Sequence, residues 1–301
     1  MTLELPIVQK PIIRGYLHHA HTLSIIQNHD NADQWIYSRF LQLYCKNGKT
    51  DAVDFFVNPY NYECLDRGYI HSFYLDDIAQ IYNYINKALK NGYYVLCLVD
   101  EFYLEQMLAY KSVHFDHWLF IYGYDETSFL SIGYTKNRVY KKYTVPFDVF
   151  NIAIKSCYGL TLYKMKEEYC FYYDKDLAQE LVYDYTKGIN TSYKIKLHNQ
   201  PIEGYFGYKI YDYIKSNFNN ISLPYLYILY EHKKCVLDFL IRNHYAEKFT
   251  LEYKKVVDIS AIIKNLFLKE NIINHNRNHD SILRYIEKLK TLEMDVLNSI
   301  V

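Results

Sequence analysis

Apolar positions recur at three- and four-residue spacing at Ile78, Ile81, Ile85 and Leu89, behind Asp76 and Asp77 and ahead of Gly92, and this spacing predicts a helix over 77–91. The period then changes. Residues 93–100 form an apolar run that ends in Asp100, and a strand is expected there. Residues 117–124 and 128–134 make two β-rich runs separated by Asp125-Glu126-Thr127, a hairpin signal, and 138–145 adds a third strand before a helix from Pro146. Residues 158–164 return to the sheet. Nearer the N-terminus, Thr22–Gln27 and Asp33–Tyr44 carry helical spacing.

From residue 166 onward the period is nearly all helical. Leu177, Leu181, Val182 and Tyr185 share one face, as do Ile210, Ile214 and Phe218, and then Leu226, Leu229, Val236, Leu237 and Leu240. Two further stretches, 256–270 and 279–300, repeat the pattern through Ile262, Leu266, Ile282, Ile286, Leu289 and Val296. Pro224 stands where a helix start tolerates it. Glu231, His232, Lys233 and Lys234 read as an exposed helix face, and Gly204–Gly207 as a turn before a helix, without the lysine of a phosphate-binding loop. No fixed-period repeat and no Gly/Ser/Pro-rich linker interrupts the chain. The expectation is a mixed α/β domain over 1–165 and a helical domain over 166–301 packed on it.

Composition narrows the function classes. At 301 residues and 50% apolar content the chain has ample material for a core. Lysine plus arginine equal aspartate plus glutamate at 34 each, so no global field draws nucleic acid or an anionic membrane. The apolar windows are too short to span a bilayer and no signal-peptide pattern opens the sequence, which reads as cytoplasmic. Six cysteines, without a Cys-x-x-Cys pair, argue against disulfides and structural zinc. The 36 tyrosines are spread along the whole length, in keeping with coding bias or with many half-buried aromatic positions.

The chemistry concentrates around Asp100 and His117. A strand ending in an acid, followed by a strand that begins with a histidine, brings a carboxylate and an imidazole to one sheet edge. An imidazole of ordinary pKa, about 6.5, is largely neutral at cytosolic pH and suits a general base. The plain alternatives are that His117 satisfies a backbone carbonyl and that Asp100 is a turn or cap residue. His18, His19 and His21 form a cluster whose one- and two-residue spacing does not place three ligands on one helical face, so metal ligation is not favoured. His18 and His21 are instead candidates for pocket residues. Trp35 and its aromatic neighbours read as core or as the lining of an acyl channel.

The pattern His117-x-x-x-Ile121-Tyr122-Gly123-Tyr124-Asp125, preceded by a strand ending Asp100-x-x-Tyr103-Leu104, resembles the N-terminal domain of butirosin biosynthesis protein H and its relatives, over roughly residues 14–165. That resemblance implies a papain-like, cysteine-peptidase-type α/β fold. It implies transfer of an acyl group from the phosphopantetheine thioester of an acyl or peptidyl carrier protein to a small amine, in antibiotic and other natural-product biosynthesis, with no cofactor. It places the general base at His117 and substrate contacts at Tyr103 and Tyr124. Two family roles are unfilled: no cysteine precedes Cys45, and the strand that should supply an orienting acid offers Ser131 and Gly133. A thiol route would have to borrow Cys45, whose plain reading is a small buried residue. Direct aminolysis with His117 as base and Asp100 orienting it needs no thiol. A catalytically inactive carrier-binding relative and a thioester hydrolase are the other readings of the same residues.

Overall fold

The computed structural model describes residues 2–46, 52–75, 77–155, 158–197, 199–273 and 279–301, so Asp76 and Cys157 lie outside the described residues. In chain order the elements are β1 (Leu3–Glu4), α1 (Leu17–Ile26), α2 (Ala32–Arg39), β2 (Leu43–Lys46), β3 (Val53–Phe55), β4 (Leu65–Ile70), α3 (Ile78–Lys90) and β5 (Tyr94–Asp100). They continue with β6 (Asp116–Tyr124), β7 (Ser128–Tyr134), β8 (Tyr140–Pro146), α4 (Phe147–Ala153), β9 (Leu160–Met165), α5 (Lys175–Lys187) and β10 (Gly204–Phe206). Helices α6 (Ile210–Ser216), α7 (Leu223–Arg242), α8 (Glu247–Ile273) and α9 (His279–Asn298) complete the chain. The architecture is mixed α/β with antiparallel sheets. Two compact units emerge, one of residues 1–12, 17–30 and 59–170, the other of 13–16, 31–58 and 171–301.

The first unit is built on a seven-stranded sheet in the order β4-β9-β5-β6-β7-β8, with β1 paired to β6 off this path. Local signals explain its central hairpins. Asp77 caps α3 by accepting the Gln80 N–H at 2.8 Å. Gly92, at φ 80°, ends α3 in the left-handed region and turns the chain into β5. Asp125 accepts the amides of Thr127 and Ser128, each at 2.8 Å, and so shapes the β6–β7 turn. Gly123 is required by close approach, because a Cβ there would lie 2.3 Å from the Leu3 carbonyl oxygen of β1. On one face of the sheet Ile81, Ile85 and Leu89 of α3 pack with Val95, Cys97, Val99, Leu119, Ile121 and Phe129, all fully or nearly fully buried. Each such aliphatic side chain contributes roughly 1.5–3 kcal/mol on burial.

The second unit departs from an all-helical tail. The spacing expected a helix through Tyr44, but α2 ends at Arg39 and the chain enters β2, which pairs with β3 and with β10 in a three-stranded antiparallel sheet. The Gly204–Phe206 segment, expected as a turn, is the strand β10, in register Gly204↔Lys46 to Phe206↔Tyr44. Strand pairing over such sequence separations leaves little local signature. Helices α5, α7 and α9 fall where their period placed them, with Pro224 in the first turn of α7, while α8 begins at Glu247, well ahead of the expected 256.

The expected exposed face at Glu231, His232 and Lys233 is corrected: all three are buried in α7. Each has partners that make burial tolerable. Lys233 Nζ lies 2.8 Å from Glu293 Oε1 of α9 and donates to the Tyr185 hydroxyl at 2.7 Å. Tyr185 and Tyr211 donate to Glu293 Oε2 at 2.9 and 2.6 Å, and Tyr253 donates to Oε1. His232 Nε2 donates to the Leu41 carbonyl at 2.9 Å while its Nδ1 accepts from Lys233 at 3.2 Å. Burial pushes the Lys233 pKa down against the pull of Glu293, and pushes the His232 pKa well down. Glu231 accepts the backbone amides of Arg14 and Gly15, both at 3.0 Å.

Candidate functional site

The β5–β6 register places Val99 opposite His117 and Asp100 opposite Asp116, so the expected acid and base do reach one edge of the sheet. They do not pair with each other. His117 Nδ1 lies 2.6 Å from Glu101 Oε1, and His114 Nδ1 lies 2.7 Å from Asp100 Oδ2. Asp100 ends β5 and Glu101 opens the single turn that follows, so the two adjacent side chains leave in different directions and each meets its own histidine, three residues apart in the returning segment.

Asp100 is the organiser of the 101–115 loop. Its side chain is 3% exposed, and Oδ1 accepts the amides of Phe102 at 3.1 Å and Phe115 at 3.2 Å. Lys155 Nζ stands 3.7 Å from Oδ2 and 3.5 Å from Asp116. Burial opposes the charge of Asp100, but the His114 hydrogen bond and the two amides prevail and hold its pKa below the ordinary carboxylate value. Asp100 therefore meets His114 and the loop amides rather than the expected His117, and Glu101 is the carboxylate in contact with His117. The sequence signal for Glu101 is a second acid directly behind Asp100.

The His117–Glu101 pair has the geometry of a general base. The His117 side chain is 36% exposed and that of Glu101 12% exposed. An Nδ1–H donated to the carboxylate fixes the tautomer with the lone pair on Nε2, and the carboxylate balances the charge of the imidazolium that forms on proton uptake. Both residues line a pocket with Leu17, Leu104, Met107, Gly133 and Tyr143, whose volume of about 10 Å³ suits one water molecule.

The remaining expected residues divide by position. Tyr103 sits in the single turn after β5, with its ring 6.0 Å from that of His114, half-buried against the core and away from the pocket lining. Tyr124 ends β6 at the opposite end of the strand from His117 and is part of the core, so its expected substrate contact is not formed by this pocket. His18, half-buried on α1, meets His19 edge-on at 4.3 Å and Tyr60 at 6.0 Å. His21 is buried on the same helix and stacks on Phe120 at 4.8 Å. Cys45 is 0% exposed in β2 of the second unit, with its thiol 3.9 Å from the Lys46 carbonyl. Cys97 is sealed mid-strand in β5, where burial pushes its thiol up and away from thiolate formation. Trp35 is 1% exposed and packs edge-on to Phe171 at 6.1 Å, which is the core reading.

No protein-family model matches this chain, and no curated protein matches it.

Proposed function

We propose that the first unit is a papain-like acyl-transfer domain in which His117 is the general base and Glu101 holds it in the base tautomer. The observation that carries this reading is the 2.6 Å contact between His117 Nδ1 and Glu101 Oε1 at the rim of a pocket. The donor fitting the sequence resemblance is a carrier-protein thioester on a phosphopantetheine arm, and the acceptor is a small amine. The amine nitrogen attacks the acyl carbon as its proton passes to His117 Nε2. The carbon–sulfur bond then breaks and the departing thiolate takes that proton, giving an amide and a free thiol. No thiol of the enzyme is required, in keeping with the burial of Cys45 and Cys97. What supports the papain-like reading is the order of parts: the helix α1 ahead of an antiparallel sheet, with a histidine near the head of one strand.

A second reading, hydrolysis of the thioester, is favoured by one observation, the pocket volume of about 10 Å³ beside His117, which admits water more readily than an amine. Incubation with an acylated carrier protein, with and without amines, followed by mass spectrometry, separates the two by product. His117→Ala is expected to lower either product about 100-fold or more. Product formation unchanged in that variant overturns the assignment, and carrier binding without product in any form marks a binding module instead.

A further inference from the structure

The pocket beside His117 has a second imidazole behind it. His21 is 4% exposed and lies flat on Phe120, with an interplanar angle of 11°. One ring N–H is given to the Ile132 carbonyl, which leaves Nε2 as a lone-pair acceptor. Among the described residues no donor reaches that nitrogen. A buried acceptor without a donor costs roughly 1–3 kcal/mol, so Nε2 is a place for a donor from outside the chain. It faces the one residue in the wall that lacks a side chain. A Cβ on Gly133 would lie 4.0 Å from His21 Nε2 and 3.4 Å from the Tyr143 hydroxyl. Gly133 and Tyr143 line the same pocket of about 10 Å³ as His117. Tyr143 is itself anchored by a hydrogen bond to Ser131, whose Oγ donates to the Phe120 carbonyl at 2.7 Å.

We propose that the space over Gly133 is a single-water subsite, in which a water molecule donates one hydrogen to His21 Nε2 and the other to His117 Nε2 and presents its oxygen to an acyl carbon. This rests on the hydrolytic reading of the site and deepens it by naming what holds the nucleophile. The two imidazoles divide the work. His21 is a positioning residue: desolvation holds its pKa down to about 3, so it accepts the hydrogen bond without taking the proton. His117 takes the proton, because Glu101 is there to balance the resulting charge. The water oxygen bonds to the acyl carbon, the carbon–sulfur bond breaks, and the thiolate recovers the proton from His117, giving a carboxylic acid and a thiol.

A crystal structure of the full chain that resolves ordered water tests the subsite without any assay of activity. The wild type is expected to show one density peak within hydrogen-bond distance of His21 Nε2 over Gly133, and Gly133→Ala to lack it. A wild-type map without a peak at Nε2 overturns the proposal, as does a peak that persists in Gly133→Ala. With an acyl-pantetheine thioester as probe, Gly133→Ala and His21→Phe are each expected to lose hydrolysis tenfold or more. Hydrolysis unchanged in a variant that lacks the water overturns its attacking role. No hydrolysis by any form, with the peak in place, overturns the general-base reading together with that role and leaves the water-binding subsite standing.

Discussion

Glu101 and Asp100 are neighbours with different work, and substitution separates them. Glu101→Gln keeps the volume but removes the charge that orients His117 and stabilises its imidazolium, so acyl transfer is expected to fall tenfold or more with little change in stability. Asp100→Asn weakens a carboxylate that accepts two loop amides and a histidine, so stability is expected to fall by roughly 1–3 kcal/mol. Thioester assays and urea unfolding on the two variants check the contrast. A third carboxylate, Glu231, carries a pH effect. Burial raises its pKa from 4.5 to about 7 even though two backbone amides favour the charged form. The folded chain therefore keeps this proton between pH 4.5 and 7 while the unfolded chain releases it, and stability contributed below that window is lost as pH rises through it. Glu231→Gln is expected to flatten the difference between unfolding midpoints measured at pH 5 and pH 8. Equal pH dependence in variant and wild type would count against the assignment.

At the scale of elements, the β5-loop-β6 segment is a hairpin whose long connection has two of its amides, those of Phe102 and Phe115, held by the Asp100 side chain. Asp100→Ala is expected to raise amide hydrogen exchange at Phe102 and Phe115 well above its effect on β5 itself, because those amides lose their acceptor while the ladder remains. Helix α3 offers a control away from the site. Its Asp77 cap bonds the Gln80 amide, so Asp77→Ala should cost about 1 kcal/mol and leave acyl transfer unchanged. In the first unit α3, β5 and the β6–β7 turn were legible because their signals are local, whereas β1 and β4 were not expected from the sequence. Ile78, Ile81, Ile85 and Leu89 mark α3, Asp125 with the amides beyond it marks the β6–β7 turn, and the apolar run to Val99 marks β5. Strands β2 and β10 were not legible. Cys45 and Tyr205 face one another across 160 residues of chain, and nothing near either position announces a partner.

At the scale of the whole molecule, the second unit carries its own test of what buried charge does. Glu293 accepts from three tyrosines and pairs with Lys233 where both side chains are 0% exposed. Glu293→Leu leaves a buried ammonium without its counter-charge and is expected to cost about 3–5 kcal/mol, read as faster exchange of α7 and α9 amides. Adding Lys233→Met is expected to recover part of that loss, since the unpaired charge is then gone. A double variant no more stable than Glu293→Leu would show that the tyrosine hydroxyls, rather than the ion pair, dominate the cost. The network also explains why Glu231-His232-Lys233 is buried against the expectation of an exposed face. A run of polar residues on a helix normally marks a solvated face, and only the distant Glu293, Tyr185 and Leu41 supply the partners that let this one sit inside.

The sequence by itself determined the alternation of helix and strand, the stop signals between elements and the convergence of an acidic strand end with a histidine-led strand, because each depends on residues within a few positions of one another. Tertiary structure alone decided which carboxylate meets which imidazole. Asp100 is the last residue of β5 and Glu101 the first of the turn beyond it, so the choice between them for His117 turned on register and loop path, which leave no mark in composition or period. The same holds for His21, whose Nε2, without a partner among the described residues, lies 4.0 Å from where a Cβ on Gly133 would stand.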